Sequence, residues 1–174
     1  MGELRPRPDA SRAVRICLVA GPSESGKTTL IERLLPALAR RGVAVATVKH
    51  HRGPVEVDRP GKDTWRHRRA GARATFFVTE REIAAFWDRP ADLSPADLVR
   101  LCPPDVDLLL VEGFKGLTGF PRVEVVRQGV HRRFEPTDEV LCVATDIEGF
   151  AASCPVFALD DAEGLAEFLV GRLW

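Results

Sequence analysis

Hydrophobic residues fall along this chain in short runs of about five to seven, separated either by helical spacing or by turn residues. The first run, Val14 to Ala20, leads through a glycine-bounded loop into Leu30, Ile31, Leu34, Leu35 and Leu38, which recur as one face of a helix. Arg40 and Arg41 suit the last turn of that helix and Gly42 its C′ position; Pro36 inside it predicts a kink, because proline lacks an N–H. Val43 to Val48 is β-branched and reads as a second, buried strand, while Pro54 to Val57 is a weak one. Asp63 reads as the N-cap of a helix ending before Gly71. Thr75 to Thr79 reads as a short buried run, with Ile83 to Trp87 returning antiparallel after a Glu80-Arg81 turn. Arg89 to Pro95 is linker-like, and Ser94 caps a short helix through Leu101 that Pro103-Pro104 stops. Asp107 to Glu112, Val123 to Arg127, Val140 to Thr145 and Pro155 to Leu159 supply further strands, and Ala162 to Leu173 a closing helix. Strands alternating with helices predict an α/β fold, a mostly parallel sheet of the P-loop NTPase type flanked by helices, with an antiparallel hairpin at its edge.

With 174 residues the pattern suits one domain over 14–174, preceded by a Pro- and Arg-rich tail over 1–13 that lacks periodicity. Twenty-five basic and 25 acidic residues cancel, so no global field draws the chain to nucleic acid or membrane. Cys17, Cys102, Cys142 and Cys154 form no C-x-x-C pair and read as reduced thiols, and the four histidines lack zinc spacing. No apolar run has the length of a membrane span and no signal-peptide core precedes Ala13, so a cytoplasmic location is expected.

Chemistry concentrates in the first loop. Gly21, Gly26, Lys27 and Thr28 fill the fixed positions of G-x-x-x-x-G-K-[ST], with a strand before and a helix after. Backbone N–H groups of such a loop cradle a polyphosphate, and the following helix mouth favours an anion. Lys27 is expected on the β/γ-phosphates and Thr28 on Mg²⁺; Ser23 and Ser25 add hydroxyls or simply fit the turn, and Pro22, Glu24 and Thr29 complete the segment. Glu112 ends an apolar strand beside Gly113, where a carboxylate completes a Mg²⁺ site opposite Thr28.

Less specific signals follow. Lys49 to Arg73 is strongly basic and reads either as a solvated face or as an anion-binding rim; Asp58 to Gly61 spells D-x-x-G, although its turn residues and weak strand argue against a GTPase switch. Phe114 to Pro121 is a glycine-rich loop whose aromatics suit a lid, a contact surface or internal packing. Asp146 follows the penultimate strand, where a carboxylate accepts two hydrogen bonds from guanine; an Asx turn is the equal alternative.

Taken in order, Gly-Pro-Ser-Glu-Ser-Gly-Lys-Thr-Thr, Val-Lys-His-His, Asp-Arg-Pro-Gly-Lys-Asp, Arg-Arg-Ala-Gly-Ala and Leu-Val-Glu-Gly-Phe-Lys resemble the MobB family of molybdopterin-guanine dinucleotide biosynthesis adaptors, from about Val14 to Arg127. The resemblance implies a weak GTPase, often homodimeric, that binds GTP and Mg²⁺ and assists the molybdopterin guanylyltransferase joining GMP to molybdopterin, with molybdopterin or its carrier enzymes as further partners. By the same resemblance Gly21 to Thr29 hold the GTP phosphates, Lys27 and Glu112 carry any hydrolysis, and Lys49, His50, Asp63, Arg66 and Arg69 form a charged patch for a second ligand or partner. Two readings stand beside it. One is an ATP-dependent small-molecule enzyme similar to dethiobiotin synthetase; the other is a non-hydrolysing adaptor that docks a partner on the 66–73 face.

Overall fold

A computed structural model describes residues 13–114, 116–130 and 134–174. Residues 1–12 of the tail predicted over 1–13, and the Lys115 position of the glycine-rich loop, lie outside these residues. The described chain groups into two compact units, one running up to His50 and resuming over Pro95–Trp174, the other His51–Ser94.

The first unit is built on six parallel strands: β1 (Arg15–Ala20), β2 (Val45–Lys49), β5 (Leu108–Glu112), β6 (Arg122–Val126), β7 (Val140–Thr145) and β8 (Val156–Ala158). Their order across the sheet is β2-β5-β1-β6-β7-β8. Alternate residues of the central strands face opposite sides, as the two-residue period of a strand requires. On one side Cys17 and Val19 meet α1 (Lys27–Arg40) and α4 (Ala162–Leu173) through Leu30, Leu34, Leu38, Leu165 and Leu169, all at most 1% exposed. On the other, Leu18, Leu109 and Val111 are covered by Leu98, Val99 and Cys102 around α3 (Pro95–Val99), and by Phe114, Leu117 and Phe120.

Helix α1 spans Pro36 without interruption, with Arg41 as C-cap and Gly42 at φ +75°, the left-handed turn that glycine accepts most readily. Helix α4 begins at Asp161, whose Oδ1 accepts the Gly164 N–H at 2.9 Å. Two expectations are corrected here. Strand β2 is only partly buried: it is the sheet's edge, with Thr47 and Lys49 exposed, because one neighbour rather than two flanks it. Helix α3 stops at Val99 rather than Leu101. Of the readings open for the 114–121 loop, internal packing describes its aromatics: Phe114 and Phe120 pack against the sheet.

The second unit pairs β3 (Ala74–Val78) with β4 (Ile83–Trp87) in antiparallel register, Val78 opposite Ile83, next to the short helix α2 (Asp63–Arg69). The Thr79 hydroxyl accepts the N–H groups of Arg81 and Glu82, closing the predicted turn. This hairpin is a separate two-stranded sheet, not an edge of the larger one. Nor is it buried: Phe76, Phe77, Val78 and Ile83 are each more than half exposed, since one short helix gives little surface to cover them. Pro54 to Val57 forms no strand. Asp63 is the first residue of α2 rather than its cap; Lys62 occupies that position and makes no side-chain cap.

Candidate functional site

The 21–28 loop joins the end of β1 to the start of α1 at the carboxyl edge of the sheet, where loops from neighbouring strands converge. Gly21 has φ +137°, and a Cβ there would lie 2.5 Å from the Val125 carbonyl oxygen on β6, so no side chain fits between the loop and that strand. Ser25 is fully buried. The Lys27 ammonium folds over the loop, donating to the Pro22 carbonyl and, at 3.4 Å, to Ser25 Oγ.

From β5, next to β1, comes the facing acid. Glu112 is 6% exposed, and the Thr28 hydroxyl lies 3.0 Å from each of its carboxylate oxygens. The Lys49 ammonium, from the adjacent end of β2, forms an ion pair with Glu112 Oε1. The turn after Glu112 is held closely: His50 N–H donates to the Glu112 carbonyl at 2.8 Å, and a Cβ on Gly113 would come within 2.8 Å of the His50 carbonyl. The His50 and Phe114 rings stack with centroids 4.1 Å apart. Among the described residues, the non-glycine residues with positive φ are Glu24 at 63° and Phe114 at 53°, and both flank this cluster. Strain at such positions is retained where the surroundings impose it.

On the β7 side a cavity of about 700 Å³ opens beside the start of α1, lined by Gly26, Thr29, Arg33, Arg127, Asp146 and Phe157 among others. Asp146 Oδ1 accepts the Gln128 N–H at 2.8 Å, and its Oδ2 lies 3.5 Å from Arg127 Nε. Arg127 also approaches the Glu24 carbonyl at 3.5 Å, linking this side to the loop.

The structure therefore brings Lys27, Thr28 and Glu112 together with Lys49 and His50, and sets Asp146 on the wall of the adjoining cavity. Asp63, Arg66 and Arg69 belong to the other unit, so the five-residue charged patch is divided between two units. Within its own unit, Arg69 stacks over Trp65 with 5.1 Å between the guanidinium and the ring centroid, and the Trp65 indole N–H bonds Glu56. Asp58 is buried, with Oδ1 accepting the Arg59 N–H and the Thr64 hydroxyl; it anchors the turn into α2. The reading of the residues singled out neither Arg127 nor the pairing of Lys49 with Glu112. A basic residue at a strand end beside the loop was the available signal for both.

No group of three or more His, Cys, Asp or Glu able to hold a metal occurs among the described residues. A hydroxyl and one buried carboxylate are nonetheless a fitting set for Mg²⁺, which takes few protein oxygens and completes its shell with water and phosphate. Among the described residues no helix is long and apolar enough to cross a membrane.

Comparison with known proteins converges on one group. The family described as MobB, molybdopterin guanine dinucleotide synthesis protein B, matches residues 16–146. The molybdopterin-guanine dinucleotide biosynthesis adapter protein of Escherichia coli is 35% identical over 85% of this chain and 87% of its own length. Its Haemophilus influenzae counterpart is 36% identical over 74% of this chain and 72% of its own. Among solved structures, Bacillus subtilis MobB has a TM-score of 0.72 at 26% identity, over 92% of this chain and 98% of that one.

Proposed function

The chain belongs to the MobB family, and we propose that it serves in molybdenum cofactor biosynthesis as a GTP-binding adapter, at most a slow Mg²⁺-dependent GTPase, assisting the transfer of GMP to molybdopterin. The observation that carries this reading is the Thr28 hydroxyl seated 3.0 Å from both oxygens of a buried Glu112, at the mouth of α1 and directly after Lys27. In it, the backbone N–H groups of the 21–28 loop bind the phosphates, and Lys27 exchanges its Pro22 and Ser25 acceptors for β/γ-phosphate oxygens. Thr28 and Glu112 hold Mg²⁺, which when bound supplies positive charge at the phosphate oxygens. The cavity beside Thr29 takes the nucleoside, with Asp146 accepting from guanine. The exposed apolar hairpin supports a homodimer, and the basic α2 face suits an acidic partner such as the guanylyltransferase or a carrier of molybdopterin. We place the protein in the cytoplasm.

Titration with GTP and ATP, with and without Mg²⁺, tests the reading. GTP preference is expected, with turnover far below the usual range of about 1–10³ s⁻¹. Lys27→Ala should cost binding at least the roughly 1.5–3 kcal/mol of a charged contact. Glu112→Ala should weaken Mg²⁺ dependence more than nucleotide affinity, and Asp146→Asn should erode the preference for GTP. Absence of nucleotide association at millimolar concentration overturns the proposal; adenine preference with fast, substrate-stimulated phosphate release replaces it with an ATP-dependent small-molecule enzyme.

A further inference from the structure

The end of edge strand β2 carries a cation that the proposed nucleotide chemistry does not use. Lys49 stands opposite Glu112 in the β2–β5 register, and its ammonium bonds Glu112 Oε1, the oxygen that also accepts from Thr28. The two partners differ sharply in freedom. The Glu112 side chain is 8% exposed, whereas that of Lys49 is 59% exposed.

A carboxylate buried to this degree is costly to leave without a counter-cation. If Glu112 and Thr28 are the protein's Mg²⁺ ligands, an ammonium on the same oxygen repels the incoming metal at close range and blocks one of its approaches. One of the three groups has to move. Glu112 is poorly placed to do so: its carbonyl is bonded by His50 N–H, and the Gly113 turn after it is packed against the His50 carbonyl with no room for a Cβ. Thr28 is fixed within the first turn of α1. Lys49 is the mobile member, a long flexible stem at the sheet's open edge.

We propose that Lys49 is a displaceable counter-ion for the metal site. It neutralises Glu112 while no metal is bound, keeping the carboxylate in place against Thr28, and it swings out to the rim when Mg²⁺ enters. Lys49 is thus a positioning residue: it preforms the site and makes Mg²⁺ compete for it. The proposal rests on the Mg²⁺ reading of Thr28 and Glu112 given above, and its test does not depend on nucleotide.

The measurement is thermal unfolding in EDTA and across a MgCl₂ series, without nucleotide, for wild type, Lys49→Met, Lys49→Arg, Glu112→Gln and the Lys49→Met/Glu112→Gln double variant. Lys49→Met should melt below wild type in EDTA, gain more from MgCl₂, and reach its half-maximal gain at a several-fold lower concentration. Lys49→Arg, which keeps the charge, should stay close to wild type. On the Glu112→Gln background Lys49→Met should change neither the melting temperature nor the response to MgCl₂. Equal melting of Lys49→Met and wild type in EDTA, or an unchanged or higher half-maximal MgCl₂ concentration, overturns the proposal. Failure of the wild type to bind GTP, with these MgCl₂ responses intact, removes the nucleotide reading and leaves the counter-ion in place.

Discussion

Strand β5 and hairpin strand β3 are each five residues long and similarly apolar, Leu-Leu-Leu-Val-Glu against Ala-Thr-Phe-Phe-Val, yet they live in opposite surroundings. Every residue of β5 is buried, while β3 keeps only Thr75 from solvent. The difference is in neighbours. Strand β5 is hydrogen-bonded on both sides by β1 and β2 and packed on both faces, whereas β3 has β4 alone. A five-residue apolar run selects an extended backbone; burial is then conferred by segments from elsewhere in the chain. The chemistry follows from that. A carboxylate at the end of a fully enclosed strand is held in one place, as Glu112 is, while an open hairpin offers apolar surface for contact with other molecules.

The contrast can be broken most forcefully by truncating each strand. Leu110→Ala, at a position with no exposure, should cost about 2–5 kcal/mol in urea unfolding. Phe76→Ala, 65% exposed, should cost a dilute chain no more than about 0.5 kcal/mol and show instead as weakened self-association in sedimentation. A smaller effect separates two glycines. Gly113→Ala carries both a left-handed backbone and a collision with His50, an expected loss of about 1–3 kcal/mol; Gly61→Ala in the second unit, with open space around its Cβ, should lose less.

Alkaline pH gives a further test. Burial pushes the Cys17 thiol up to about 12 from an ordinary value of 9.0, and raises Cys142 as well. The unfolded thiols ionise first, so stability is intact below pH 9.0 and declines as pH rises towards 12, which a series of urea midpoints would show. The second unit, 51–94, contains no cysteine and contributes nothing to that decline. The smallest effect belongs to Glu163, held below its ordinary value of 4.5 by hydrogen bonds from Arg41 and Arg40. That contribution is present above pH 4.5 and fades as pH falls through the lowered value; because the pair is exposed, Glu163→Gln should differ from wild type only slightly, and less still in high salt.

What could be read directly from the residues was whatever depends on near neighbours in the chain. The loop, α1 with its Gly42 terminus, and the acid closing β5 all follow from local spacing and turn chemistry. The juxtaposition of Lys49 with Glu112 follows instead from the order β2-β5-β1, which no short pattern encodes. The same holds for Arg127, brought beside Asp146 because β6 and β7 are adjacent, and for the open faces of the hairpin. Asp63 missed its expected cap by one position, since Lys62 is already in the extended conformation that precedes the helix.

The packing of α1 on α4 has a bearing on how the protein is made. Arg40 and Glu163 meet although 123 positions separate them, and the same two helices bring Leu34 and Leu38 against Leu165 and Leu169. A ribosome therefore finishes the loop at Gly21–Thr28 long before it supplies the wall that shelters the helix behind it. Until then the leucine face of α1 has the sheet but not α4 to cover it, and the emerging polypeptide carries apolar surface that the finished protein hides.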